Sequence, residues 1–302
     1  MDRLDQLGLF LAIAEAGSLA AAGRRLGRSP PAMSRALADL EARLGVRLAE
    51  RSTRRFALTE AGRRLAEQAR HALAELDDAL REAAGQAREP RGRLRLAAPL
   101  VFGRRHVAPV VAAFQDAHPA VAVDLLLANR VVDLLEEGMD AALRIGRLPA
   151  SSLRSRRLGE VRRILVASPD YLARRGVPDS PEALARHDLV VFAPHAAPTE
   201  WRFADAAGRE VVLRPQARFS VNEAEAAVAA AVQGRGILQT LSYQPAEEIA
   251  QGRLLRLLRG AEPPPIPVQL VWPAGRFMPA RLRAFLDAAI PLLAALPVLR
   301  EA

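Results

Sequence analysis

The chain has 302 residues, half of them hydrophobic, and a formal net charge of +9. This length is enough for two domains with separate cores, and the apolar content is typical of a folded protein. The absence of Cys excludes disulfides, thiolate zinc sites and Cys nucleophiles. The surplus of basic residues, all of which are Arg, favours a polyanionic partner such as nucleic acid.

Neither end of the sequence predicts a targeting or membrane segment. The N-terminus, Met-Asp-Arg-Leu-Asp-Gln, is polar and leads into a helical pattern, unlike a signal peptide. The most apolar stretch, residues 284–299, contains Asp287, Pro291 and Pro297 and does not have the pattern of a membrane span. We therefore expect a cytoplasmic protein with no membrane partner.

The first 45 residues predict three short helices. Apolar residues at three- and four-residue spacing give each helix one inward face. They are Leu4, Leu7, Phe10, Leu11 and Ala14 in the first helix, Ala21, Ala22 and Leu26 in the second, and Met33, Leu37, Leu40 and Leu44 in the third. A helix, a Gly-centred turn and a further capped helix indicate a helix-turn-helix, which places its second helix in the DNA major groove.

Glycines and serines mark the boundaries of these helices. The helices end at Gly17, Gly27 and Gly45, and Ser18 and Ser29 are the predicted caps. Pro30 and Pro31 fall in the first turn of the third helix, where a missing N–H costs nothing.

A hairpin and a long helix are predicted next. Residues 46–58 alternate between apolar and polar about a polar turn, which is typical of a small wing. Thr59 then caps a helix to about Arg88, and Gly85–Gly92 form a linker. Its apolar stripe consists of Leu65, Ala69, Ala72, Leu76, Ala79, Leu80 and Ala83. Because this helix has little of its own domain to pack on, pairing with a second copy is the economical interpretation.

From Arg93 onward, predicted strands alternate with helices. Strands are expected at 94–98, 121–128, 141–145, 163–169, 190–192, 211–213, 236–240 and 268–272, and helices at 107–118, 131–137, 224–233 and 280–293, with a turn at 99–105. This alternation predicts an α/β part with parallel sheets and ligand sites at the carboxyl ends of strands.

Ser34 and Arg35 are the first candidates for contact with DNA. They lie opposite Met33 and Leu37 on the third helix and so face away from the core. A hydroxyl and an Arg fork there suit a base edge or a phosphate, whereas the alternative is an ordinary exposed helix face. Within a helix-turn-helix we favour the DNA contact.

Basic residues are concentrated in the same region. Residues 17–64 contain eleven Arg and four acidic residues, a balance of +7. Arg residues around the wing turn favour contact with the DNA backbone or minor groove, although an Arg-rich surface without function would also show clusters. The predicted DNA-binding residues are Ser18, Arg28, Ser29, Pro30, Pro31, Ser34, Arg35, Arg51, Thr53, Arg54 and Arg55.

Signatures of catalysis are missing. The five His residues have no metal-ligand spacing, so we expect no metal site and no cofactor. Gly234-Arg-Gly236 begins like a phosphate loop, but Gln239 stands at the third glycine position, which favours a helix-to-strand turn. No Gly-x-Ser-x-Gly motif or convincing triad is present. An enzyme or solute-binding protein built on the α/β part is therefore the alternative that we do not prefer.

The order of these parts resembles the LysR-type transcriptional regulators over essentially the whole chain. The matching N-terminal residues are Phe10…Glu15-Ala-Gly-Ser-Leu, Ala22…Leu26-Gly, Ser29…Pro31-Ala-Met-Ser-Arg35, Leu40-Glu…Leu44-Gly-Val, Glu50-Arg and Leu58-Thr-Glu-Ala-Gly62. In the second half they are Ala98-Pro…Phe102-Gly-Arg-Arg-His, Arg130-Val-Val-Asp-Leu-Leu-Glu-Glu-Gly138 and Leu143-Arg-Ile-Gly146.

The resemblance implies a winged helix-turn-helix in residues 1–58, a linker and dimerisation helix in 59–90, and a periplasmic-binding-like effector domain in 91–302. Lobe one would comprise 91–162 and 267–302, and lobe two 163–266. It further implies a homodimer or tetramer that binds a double-stranded DNA operator, with RNA polymerase as a further partner. A small-molecule effector would bind between the lobes and change transcription.

Two departures from the family pattern concern DNA binding. Pro30 stands where the family often has a Gln that helps to contact DNA, and Pro has no polar side chain for that contact. Ala49 stands where a bulky apolar residue is usual in the wing. We therefore expect recognition to depend more heavily on Ser34, Arg35 and the wing arginines.

Candidate effector residues lie at predicted strand ends. They are Leu100, Val101, Phe102, Gly103, Asn129, Arg144, Ser168, Trp201, Asn222 and Thr240. The loop at Pro99–Gly103 lacks the hydroxyl that the family commonly has there, so only backbone N–H groups could hold an anion. Asn222 could instead cap the following helix, and Arg144 could pair with a carboxylate effector or with a neighbouring acid.

Overall fold

The structure is a computed structural model that describes residues 2–52, 55–83, 89–148, 153–193, 199–204, 209–274 and 278–300. Three helices and a hairpin come first, a 24-residue helix follows, and two five-stranded sheets with flanking helices complete the chain. Within these ranges, no helix is both long enough and apolar enough to cross a membrane.

The three N-terminal helices occur as predicted. Helix α1 spans Arg3–Ala16, α2 Leu19–Leu26 and α3 Pro30–Leu44. Each ends at its predicted glycine, which adopts the left-handed conformation. The Ser18 hydroxyl caps α2 by accepting a hydrogen bond from the Ala21 N–H at 3.1 Å. Ser29 occupies the N-cap position of α3, but its hydroxyl makes no capping hydrogen bond.

These helices enclose one apolar core. Its most buried members, each at most 1% exposed, include Phe10, Ile13, Met33, Leu37 and Leu40. Leu4, Leu26 and Leu44 were predicted to face inward but are more than 40% exposed. Each lies in the first or last turn of its helix, where the chain departs from the core.

The wing is held to α3 by a carboxylate. Strands β1 (Ala49–Ser52) and β2 (Arg55–Leu58) form an antiparallel hairpin. Glu41 Oε1 accepts hydrogen bonds from the N–H groups of Leu48, at 2.8 Å, and Ala49, at 3.1 Å. Ala49 is itself buried. Hydrogen bonds to Glu41 therefore hold this end of the wing against α3 at the position where the family usually has a bulky apolar side chain.

Helix α4 spans Glu60–Ala83. The predicted cap is confirmed, since Thr59 Oγ1 accepts from the Gly62 N–H at 3.0 Å. Ala66 and Ala69 are buried against the N-terminal core. Residues 84–88 of the predicted helix lie outside the described residues.

The remaining elements follow in chain order. The strands are β3 (Gly92–Ala98), β4 (Val121–Leu127), β5 (Ala141–Ile145), β6 (Leu153–Val161), β7 (Arg163–Ala167), β8 (Leu189–Phe192), β9 (Trp201–Ala204), β10 (Glu210–Leu213), β11 (Ala217–Val221), β12 (Ile237–Leu241), β13 (Leu255–Leu257) and β14 (Ile266–Pro273). The helices are α5 (Leu100–Phe102), α6 (Ala108–Ala117), α7 (Pro169–Arg175), α8 (Ala224–Val232), α9 (Ala246–Ala250) and α10 (Ala280–Ala294), with a π-helical segment at Gly103–Val107 joining α5 to α6. Short 3₁₀ turns lie at Glu182–Arg186, Arg259–Ala261 and Pro297–Leu299.

Two five-stranded sheets define the two lobes. The sheet of lobe one has the order β4-β3-β5-β14-β6, and the sheet of lobe two has the order β11-β8-β12-β7-β13. Helices α6 and α10 pack on the first sheet, and α8 packs on the second. A separate hairpin of β9 and β10 lies in lobe two.

The prediction of purely parallel sheets is wrong, because each sheet is mixed. Strand β14 pairs antiparallel with β5 and β6, and β7 pairs antiparallel with β12 and β13. The chain passes from β6 of one sheet directly to β7 of the other and later returns through β14. As a result of these crossings, β14 in the first sheet and β7 in the second run opposite to the parallel strands of their sheets.

Local predictions also fail at two places. Residues 131–137 do not form a helix, and turns occupy 134–138. Asp133 Oδ1 accepts from the N–H groups of Leu135 and Glu136 and so competes with helical bonding. The predicted turn at 99–105 is helical from Leu100 onward.

Lobe one is tied to α4 through Arg95 of β3. Its guanidinium donates to Glu67 Oε1 at 3.1 Å and to the Glu137 carbonyl at 3.4 Å. The Arg95 N–H donates to the buried carboxylate of Asp140 at 2.7 Å. The linker helix and the first strand of lobe one therefore share a polar contact.

We expect Glu41→Ala to destabilise the N-terminal domain by about 1–3 kcal/mol, because two part-buried N–H groups lose their acceptor. Thermal unfolding would measure the loss. Asp39→Ala is the matched control, since Asp39 is an exposed acid on the same helix. Equal melting temperatures for the two variants would contradict the role given to Glu41.

Candidate nucleic-acid interface and interlobe cavity

Helix α3 has one buried and one polar face. Met33 and Leu37 are fully buried, whereas Arg35 is exposed and Ser34 is half-buried. Arg28, Ser29, Pro30 and Pro31 are exposed at and before the first turn of the same helix. An Arg fork and hydroxyl groups on an exposed helix are the groups that bind guanine edges and phosphates.

A tight turn fixes α3 against α2. The Arg28 N–H donates to the Gly23 carbonyl at 2.8 Å, and a Cβ on Gly23 would lie 2.5 Å from the Arg28 carbonyl oxygen. Only Gly therefore fits at this crossing. The hydroxyl of Ser18 is engaged in capping α2, whereas that of Ser29 is not engaged in a cap.

The wing residues are described only in part. Arg51 and Arg55 lie on the paired strands β1 and β2. Thr53 and Arg54 lie outside the described residues. In this hairpin Arg51 pairs with Phe56 and Arg55 with Ser52.

A cavity of about 490 Å³ lies between the two lobes. Lobe one contributes residues at the carboxyl ends of β3, β4 and β5, and lobe two contributes the start of β7 and the ends of β8 and β12. The apolar part of the lining includes Pro99, Val131, Val132, Leu143, Ile145, Phe192, Leu241 and Ile266. This volume is in the range of small-molecule sites, roughly 300–1,000 Å³.

The polar lining is basic. Arg130, Arg144, Arg147 and Arg163 line the cavity, and no acidic residue is among its described lining. Arg130 is paired with Glu137 through two hydrogen bonds of 2.5 and 2.6 Å. Arg144 donates one hydrogen bond, to the Val132 carbonyl at 2.8 Å. The crowding of Arg163 by protein, together with the charge of Arg202, lowers the pKa of Arg163.

Three uncharged polar residues complete the lining: Asn129, Tyr243 and Gln244. Burial raises the pKa of Tyr243 to about 12, so its hydroxyl is neutral at physiological pH. Gln244 Oε1 accepts from the Leu241 N–H at 3.0 Å and from the Thr240 hydroxyl. The buried Gln244 side chain is thereby held in place.

Of the ten predicted effector residues, the structure brings Asn129 and Arg144 to the cavity. Leu100, Val101, Phe102 and Gly103 begin the first helix of lobe one, where Val101 and Phe102 are buried in its core. Ser168 caps α7, Trp201 is in the core of lobe two, Asn222 follows β11, and Thr240 is bonded to Gln244. Asn222 does not cap α8, because the Glu223 carboxylate does so.

Sequence reasoning missed Arg163, Tyr243 and Gln244. Arg163 begins a strand, whereas the predicted residues lie at strand ends; because β7 runs antiparallel to β12, the start of β7 lies beside the end of β12. Tyr243 and Gln244 follow β12 directly, so their positions just past a strand end were the available signal.

Next to the cavity, the two lobes are joined by a clasp formed by Arg104, Arg105 and Glu225. Arg105 donates to Glu225 Oε1 at 3.2 and 3.1 Å and to the Gln244 carbonyl at 3.0 Å. Arg104 also pairs with Glu225. Both arginines lie in the π-helical segment of lobe one, and Glu225 lies in the first turn of α8 in lobe two.

Aromatic packing accompanies the clasp. The ring of Phe102 lies edge-on to Tyr243, with 5.2 Å between centroids. Because Tyr243 and Gln244 line the cavity, the clasp and the cavity share the same segment of lobe two.

Comparison with known proteins agrees with this architecture. Residues 4–63 match the family model of the bacterial regulatory helix-turn-helix protein, lysR family, and residues 87–293 match that of the LysR substrate binding domain. The HTH-type transcriptional regulator PtxR of Pseudomonas aeruginosa is 37% identical over 95% of this chain and 93% of its own length.

Solved structures show the same arrangement. CrgA, a LysR-type transcriptional regulator from Neisseria meningitidis, is 31% identical with a TM-score of 0.61, over 96% of this chain and 98% of that chain. The full-length Vibrio cholerae virulence activator AphB is 28% identical with a TM-score of 0.62, over 96% and 99% of the two chains. With both family models matched in order over most of its length, this chain belongs to the LysR family of transcriptional regulators.

Proposed function

We propose that Ser34 and Arg35 of α3 read the major groove of a double-stranded DNA operator. The observation that carries this proposal is the exposure of Arg35 on a helix whose opposite face is buried. Arg28 and Ser29 at the adjoining turn, and Arg51, Arg54 and Arg55 of the wing, would contact the backbone. Pro30 and Pro31 support the helix start sterically.

We propose that a second copy of the chain binds along α4. Leu76 is 36% exposed and Leu80 60% exposed on this helix, although both are apolar. A partner helix would cover them and would place two helix-turn-helix units on a pseudo-palindromic operator. We place the domain limits at 58/59 and 90/91 as predictions. Whether the chain forms a dimer or a tetramer also stays a prediction.

We propose that the interlobe cavity is the effector site of this regulator. A molecule bound there contacts both sheets and the segment that carries Tyr243 and Gln244. Because it makes different contacts when the lobes are open and when they are closed, its binding shifts the equilibrium between these two arrangements. This regulator acts in the cytoplasm, where its operator is, and not as an enzyme. Contact with RNA polymerase stays a prediction.

Arg35→Ala tests the groove contact. We expect a loss of about 1–3 kcal/mol in operator affinity and weaker discrimination between operator and unrelated DNA. Titration of both DNAs at several salt concentrations, monitored by fluorescence anisotropy, would measure it. Arg43→Ala is the control, because Arg43 is also exposed on α3 but lies two turns further along. Unchanged affinity and salt dependence in Arg35→Ala would exclude the assigned contact.

A double variant, Leu76→Asp and Leu80→Asp, tests pairing along α4. Each leucine would lose about 1.5–3 kcal/mol of apolar burial in the dimer, so the molar mass measured by light scattering should fall. Val177→Asp, at an exposed apolar residue of lobe two, should leave the mass unchanged. A double variant with the mass of the wild type would rule out these leucines as the interface.

Glu225→Ala tests the clasp. The change removes the shared acceptor of Arg104 and Arg105, with a cost of about 1–3 kcal/mol for the part-buried guanidinium of Arg105. We expect faster amide hydrogen exchange in peptides covering 100–107 and 241–247. Glu182→Ala, at an exposed acid of the same lobe outside these peptides, should not change exchange there. Identical exchange in both variants would show that the clasp does not hold the lobes.

A further inference from the structure

The interlobe cavity has more positive charge than the described chain neutralises. Arg130 is matched by Glu137, but no ion pair with a carboxylate is found for Arg144, Arg147 or Arg163 among the described residues. Opposing charge is also missing from the lining of the cavity where the structure describes it. Cations that line a partly apolar cleft attract an anion more strongly than isolated cations in open water do.

Arg144 is only partly satisfied by hydrogen bonds within the described chain. Its Nε is buried without a hydrogen-bond partner, while one terminal nitrogen donates to the Val132 carbonyl. A buried N–H of a charged group without an acceptor is costly. A guanidinium has its donors in a fixed fork that fits the two oxygens of a carboxylate.

The second cation comes from the other lobe. Arg144 lies on β5 of lobe one, and Arg163 begins β7 of lobe two. Both line the same cavity. A single anion that reaches both guanidinium groups would be attracted by each lobe. Its binding therefore favours approach of the lobes.

The uncharged part of the cavity lining indicates the chemical character of the ligand outside its anionic group. Alanine, valine, leucine, isoleucine and phenylalanine side chains form most of the wall, which suits a hydrocarbon or aromatic body. Asn129, Gln244 and the neutral hydroxyl of Tyr243 can each bind one polar substituent. A highly charged ligand such as a nucleotide would leave much of this apolar surface unmatched.

We propose that the effector is a small organic monocarboxylate with an apolar body, and that its carboxylate binds between Arg144 and Arg163. This inference rests on the proposed function of the cavity. It names the chemical class of the effector and the two residues that recognise its charge.

The test uses the full-length protein at constant ionic strength. Butanoate, hexanoate, benzoate and phenylacetate are each compared with the corresponding primary amide, and with inorganic phosphate, by thermal shift and calorimetry. We expect at least one carboxylate to bind and to raise the melting temperature, and its amide to bind roughly tenfold or more weakly.

Variants locate the site. Arg144→Gln and Arg163→Gln should each weaken carboxylate binding roughly tenfold or more, and Arg144→Lys should restore part of it. Arg259→Gln, at an exposed arginine of lobe two outside the cavity, should bind as the wild type does. Operator binding without ligand should persist in all four variants, which shows that they are folded.

Several results would overturn the proposal: no carboxylate binds, an amide binds as tightly as its acid, phosphate stabilises the protein equally, or Arg144→Gln retains full binding. If operator binding still depends on Arg35 in any of these cases, the DNA-binding function stands and only the anionic effector is excluded.

Discussion

The contact between Arg105 and lobe two joins the two lobes of the effector domain beside the cavity. One guanidinium reaches both a carboxylate and a main-chain carbonyl of the other lobe, and a second arginine shares the same carboxylate. The π-helical segment places Arg104 and Arg105 together on this side. Since π segments are rare and are often found at functional sites, its position at the lobe junction fits a mechanical role.

The clasp and the cavity differ in how their charges are matched across the lobe junction. At the clasp, opposite charges attract and draw the lobes together. At Arg144 and Arg163, like charges of the two lobes line one cavity without a carboxylate between them in the described structure. A ligand that supplies the missing negative charge at the cavity would add an attraction between the lobes to the one at the clasp.

Much of the N-terminal fold was predictable, because local signals determine it. Gly17, Gly27 and Gly45 end their helices in the left-handed conformation that favours glycine, and the Ser18 and Thr59 caps follow from their positions. The cavity was less predictable. It is formed where β7 and β12, which run in opposite directions, meet the ends of β3, β4 and β5. The sequence has no local signal that a strand will join a sheet antiparallel to its neighbours. Trp201 illustrates the failure, since its size suits a binding site and a core equally, and the structure places it in a core.

The bond between Arg95 and Glu67 determines which lobe serves as the fixed reference. The same arginine contacts α4, the 131–139 turn region and, through its N–H, Asp140, so the first strand of lobe one is anchored to the long helix at several points. Lobe one is thus joined to the helix that leads to the DNA-binding end, and a swing between the lobes would move lobe two relative to that helix. In an assembly of several copies, any subunit seated on lobe two would be displaced by that swing. The spacing between DNA-binding ends would then be set by the hinge angle of one lobe, without any change inside the helix-turn-helix.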